Sequence, residues 1–102
     1  MNPWIPVLAL VIACLAVMAD AYTTRSCINL GKYEGADFRR ALIRSLGLDA
    51  GTYGVSLAFC AVVMLVNVYA LDSAWGLIVG NVIIAAFFGK AALHNMRILR
   101  GD

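Results

Sequence analysis

Three stretches of this chain contain no Asp, Glu, Lys or Arg: residues 1–19, 50–71 and 73–89. A helix that crosses about 30 Å of hydrocarbon needs about 20 mostly apolar residues, and each stretch reaches that length once a flanking residue or two is added. Composition agrees, because 63% of the 102 residues are hydrophobic and 14% charged, against about 45–50% and about 25% in ordinary soluble domains. The segments left over, residues 20–49, Asp72 and residues 90–102, are too short to bury a separate soluble core. The expectation is a single all-α integral membrane domain over 1–102, with three spans at about 3–22, 51–71 and 73–94.

The positions of the basic residues orient these spans. Arg25, Lys32, Arg39, Arg40 and Arg44 fall between the first and second spans, and Lys90, Arg97 and Arg100 fall at the end of the third or beyond it. With three spans, both groups lie on one side of the membrane. Cytoplasmic segments carry the Lys and Arg excess, so the N-terminus is expected outside and the C-terminus in the cytoplasm. Ala19-Asp20-Ala21 has the form of a signal-peptidase site, but no Lys or Arg precedes it. The first stretch is therefore read as a retained span.

Local signals refine the segments. Asn2 can cap a helix whose first turn holds Pro3 and Pro6, where missing amide protons cost nothing. Nothing interrupts that helix before Gly31, a C′ candidate. Asp37–Leu46 predicts a short amphipathic helix, with Phe38, Ala41, Leu42 and Leu46 opposite Arg39, Arg40 and Arg44. That pattern suits a helix lying in the membrane interface, with the three arginines toward anionic lipid. The short Asp72-Ser73 turn makes the second and third spans an antiparallel hairpin.

Polar and small residues within the spans are the candidate site. At the inner end, Asp20, Thr23 and Thr24 share a helix face, and Lys90 or His94 is placed to pair with Asp20 if spans one and three are neighbours. Nearer the outer end, Asn67 and Asn81 fall at compatible depths for an amide bridge. Gly76 and Gly80 form a G-x-x-x-G, and Ala50, Gly54 and Ala58 form a second small stripe; both allow close helix packing. Cys14, Cys27 and Cys60 lack metal-ligand spacing and read as small fillers. No P-loop, hydrolase elbow, H-E-x-x-H or C-x-x-C occurs, so no catalytic, cofactor or metal site is expected. The net charge of +2 points to no nucleic-acid partner.

Asp20-Ala-Tyr-Thr23-Thr24 followed by Gly31-Lys-Tyr-Glu34 resembles the D-x-x-T-T … G-x-x-E pattern of a family of short bacterial and archaeal membrane proteins of about three spans. The resemblance implies that Asp20, Thr23, Thr24 and Glu34 form a polar inner mouth, and the expected location is a bacterial inner membrane or a virion membrane. In size and span count the chain also resembles small phage holins and virion membrane proteins. The expected function is a small non-enzymatic membrane subunit whose partners are the bilayer and either further copies or a larger membrane complex. A holin-like or channel-forming protein is the alternative.

Overall fold

A computed structural model describes residues 4–31, 37–69 and 74–101, and these are helical almost throughout, with no strand. Asn2, Pro3, Lys32, Glu34, Asp72 and Ser73, and with them the expected cap and turn, lie outside the described residues, as does the Phe38 side chain. The elements are α1 (Trp4–Asn29), α2 (Asp37–Leu46), a π-helical turn (Ala50–Gly54) that runs into α3 (Val55–Tyr69), and α4 (Ala74–Arg100). Three helices are long and apolar enough to cross a membrane: α1, the π turn joined to α3, and α4.

The ends of these helices follow from backbone chemistry. α1 closes at Gly31, whose φ of 69° is the left-handed conformation open to glycine. α4 continues to Arg100, six residues past the expected end of the third span, so Asn95 lies in a helix. α2 ends at Gly47 (φ 91°), whose N–H donates to the Ile43 carbonyl at 2.8 Å. Helix resumes at the next residue, so the chain folds back over a one-residue corner.

That corner explains Gly51. A Cβ on it would sit 2.6 Å from the Ile43 Cα and 2.9 Å from its backbone nitrogen. α2 therefore packs directly on the backbone of the π turn, and only hydrogen fits between them. The inward face of α2 differs from the expected one: Arg39, Leu42 and Ile43 are half-buried, whereas Ala41 and Leu46 are exposed. The i, i+3, i+4 set that packs is thus built around Arg39.

The closest helix pair is α1 with α4, not α3 with α4 as the hairpin reading expected. The two run parallel, since Val7 and Leu10 lie beside Leu77 at one end and Cys27 bonds Asn95 at the other. Ala13, Val17, Asp20, Thr24 and Cys27 are all buried along α1, at the alternating four- and three-residue steps of a left-handed helix seam. Ala13, Ala21 and Ala92 are small enough to let the backbones approach. α3 contributes a narrower stripe, Ser56, Cys60, Val63 and Asn67.

Replacing Gly51 with Ala should force α2 off the π turn, at a destabilisation of about 1–3 kcal/mol. Gly54→Ala is the control, because its Cβ meets only the Ala50 side chain, at an ordinary 3.6 Å. Unfolding of both variants in mild detergent measures the difference.

Candidate functional site

The α1–α4 seam carries its polar groups at one level. Successive turns of α1 present Asp20, Thr23 and Thr24, and α4 meets them with a single residue, Asn95, which is 4% exposed. The Asn95 amide nitrogen lies 3.1 Å from both threonine hydroxyl oxygens and 3.4 Å from Asp20 Oδ1. Thr24 donates to Asp20 Oδ1 at 3.5 Å, and Thr23 donates back to the Ala19 carbonyl at 2.8 Å. The Cys27 thiol donates to the Asn95 carbonyl at 3.4 Å. Asn95 is therefore clasped through both its side chain and its backbone.

The carboxylate finds its counter-charge on α2. Arg39 Nη2 donates to Asp20 Oδ2 at 3.2 Å, with both side chains largely covered. Arg39 Nη1 donates to the Gly51 carbonyl at 3.3 Å. The π register bears on this second contact, because the Val55 N–H is directed to the Ala50 carbonyl, one residue beyond the α-helical partner. One guanidinium thus ties α1 to α2 and to the start of α3. On the outside of the same corner, Arg25 Nε meets Asp49 Oδ1 at 2.7 Å, in an exposed pair.

This arrangement corrects two expectations. Asp20 pairs with Arg39, while Lys90 and His94 are exposed on the far side of α4. The three arginines of α2 also separate: Arg39 turns inward, and Arg40 and Arg44 are exposed. The reason is geometric, since Gly47 folds α2 back against the corner and brings its first turn over Asp20.

Nearer the other end of the bundle, Asn81 Nδ2 donates to Asn67 Oδ1 at 3.0 Å, and Asn67 Nδ2 donates to its own Val63 carbonyl at 2.7 Å. This amide bridge joins α4 to α3. The small stripes lie elsewhere. Gly54 and Ala58 are exposed, and a Cβ on Gly80 would meet nothing within 4 Å. Gly76 and Gly80 line an open groove of about 310 Å³ between α3 and α4, with Val62, Val66 and Phe59 on the facing wall. The two helices meet across it through side chains, including the Phe59 and Phe88 rings at 5.3 Å.

Asn95 and Gly51 were not identified from sequence. On the α1–α4 seam, Ala13 and Ala21 are small, but such residues are common in apolar helices and do not single the seam out. Compared with protein-family models, curated proteins and solved structures, the chain matches none. The geometry therefore carries the argument alone: a buried, fully partnered ion pair and amide cluster that fasten four helical elements together.

Removing Arg39 leaves the Asp20 carboxylate buried with neutral donors, so Arg39→Met should destabilise by about 3–5 kcal/mol. The Asp20→Asn, Arg39→Met double variant should be less destabilised than the sum of the single changes. Lys90→Met should fall within about 0.5 kcal/mol of the parent. Denaturant titration in detergent reads all four.

Proposed function

We propose that the protein is a small non-enzymatic integral membrane subunit with its N-terminus outside and its C-terminus cytoplasmic. α2 lies at the inner interface, and the groove between α3 and α4 receives a helix from a second copy or from a larger membrane complex. The inverted burial pattern supports the membrane part. Among the described residues, eight of the sixteen buried side chains are polar, Asp20, Thr52 and Asn81 among them, while Leu15, Phe87 and Trp75 are each at least 65% exposed. In water that distribution is unfavourable, whereas in hydrocarbon it satisfies the polar groups internally.

The observation that carries the packing part is Gly80. Glycine inside a helix is about 1 kcal/mol worse than alanine, and here the space beside it is empty. The α1–α4 contact uses a different face, so the fold itself draws no benefit from the missing side chain. A flat, small-residue wall beside an open groove is what an approaching helix backbone uses where lipid supplies no hydrophobic drive. The asparagines at the groove bond each other, which favours helix packing over a water-lined pore.

Two outcomes test the reading. In a chain whose own cysteines are replaced by alanine, Asp72→Cys and Asp102→Cys should react with a membrane-impermeant maleimide from opposite sides; reaction from the same side overturns the topology. Gly80→Ile, alone and with Gly76→Ile, should leave the melting temperature of the isolated chain near the parent's and abolish assembly. Light scattering in detergent and co-purification read that change. Unaltered mass and unaltered partners would place the interface elsewhere.

A further inference from the structure

A second cavity, of about 370 Å³, opens between all four helices just above the Asp20 cluster. Its walls are apolar, with Val17, Leu42 and Val55 facing Phe59, Phe87 and Phe88. The rings make a tilted aromatic surface, with Phe87 and Phe88 5.2 Å apart and edge to face. One end is polar and is formed by Asp20, Arg39 and Ser56. The volume lies in the lower part of the range of small-molecule sites, which are mostly apolar with a few placed polar groups.

Ser56 separates this cavity from a packing defect. The residue is 3% exposed, yet its hydroxyl has no hydrogen-bond partner among the described residues. Other helical hydroxyls behave differently: Thr52 donates to the Leu48 carbonyl at 2.7 Å and Ser26 to the Tyr22 carbonyl at 3.0 Å, the usual fate of such a group. Among the described residues no fully sealed side-chain oxygen or nitrogen lacks a partner, so the Ser56 oxygen reaches the cavity that it lines. A hydroxyl left unpartnered by its own chain and open to the cavity is free to bond a group that enters there.

The charge at the polar end selects the kind of group. Asp20 and Arg39 neutralise each other at 3.2 Å, and Arg39 also holds the Gly51 carbonyl. An anionic head would compete with Asp20 for the guanidinium, and a cationic head would compete with Arg39 for the carboxylate. An uncharged oxygen disturbs neither and pairs with Ser56 and the remaining guanidinium N–H groups. We infer that this cavity binds a neutral amphiphile, its hydroxyl or carbonyl oxygen at Ser56 and Arg39 and its apolar body against the phenylalanines. A glycerol ester and a ring quinone share that chemistry, and both reach the site sideways from a bilayer.

The test uses the full chain in nanodiscs and a diazirine-bearing monoacylglycerol as probe, with cross-linked peptides mapped by mass spectrometry. The expected result is saturable labelling confined to residues 55–59 and 87–88. Unlabelled monoolein or decyl-ubiquinone should displace the probe, the better competitor naming the source, while oleate and oleylamine should not. Ser56→Ala removes only the oxygen and should weaken half-saturation about 3- to 10-fold. Val55→Phe, which fills the cavity, should abolish labelling at these residues. Labelling that never saturates, displacement by oleate as good as by monoolein, failure of both neutral competitors, or an unchanged half-saturation in Ser56→Ala would each overturn the assignment.

Discussion

The structure depends on one carboxylate placed inside a helix seam. Asp20 is 8% exposed in the contact between α1 and α4, and a buried charge is tolerated only when paired and hydrogen-bonded. Each of its partners fixes a different part of the chain. Arg39 requires α2 to fold back over α1, and the Gly47 corner with the bare Gly51 backbone makes that approach feasible. Asn95 requires α4 to stay helical well beyond its apolar stretch. Without the carboxylate, neither the corner nor the length of α4 has an evident physical reason.

Buried polar groups also supply the specificity that uniformly apolar helices lack. α1, α3 and α4 are hydrophobic nearly all round, so many rotations about their axes are similar in apolar burial. Asp20 with Asn95 sets one rotational register, and Asn67 with Asn81 sets a second, fourteen residues, or about 21 Å, away along α4. Two such fixed points determine how a helix lies against its neighbours. The apolar residues between them need only be small enough, as Ala13, Ala21 and Ala92 are.

The same property explains what could be read from the sequence. Charge-free stretches mark long helices without ambiguity, and Gly31 and the Asp37–Leu46 pattern delimit α1 and α2 because they act locally. The pairing of α1 with α4 was hidden, since an all-apolar helix has no polar side to point away from a partner. Arg39 groups with Arg40 and Arg44 by charge alone: only Arg40 and Arg44 are four residues apart, whereas Arg39 shares the i, i+3, i+4 face of Leu42 and Ile43, and spacing carries no information about where Gly47 sends that helix. Asn95 sits between His94 and Arg97, among residues typical of a solvated tail. The value of Gly51 over Gly54 comes from a contact with Ile43, eight residues earlier and across a corner.

The parallel pairing of α1 and α4 has a consequence in time. Asn95 lies 75 residues after Asp20, and ribosomes add about 5–20 residues per second. For about 4–15 s after it emerges, the first helix therefore holds a carboxylate whose amide partner has not yet been synthesised. Arg39 arrives much sooner, so the α1–α2 ion pair is available as a temporary partner for that charge during synthesis. The seam closes only when the last helix is made, and a chain interrupted before then leaves Asp20, Thr23 and Thr24 on α1 without their Asn95 partner.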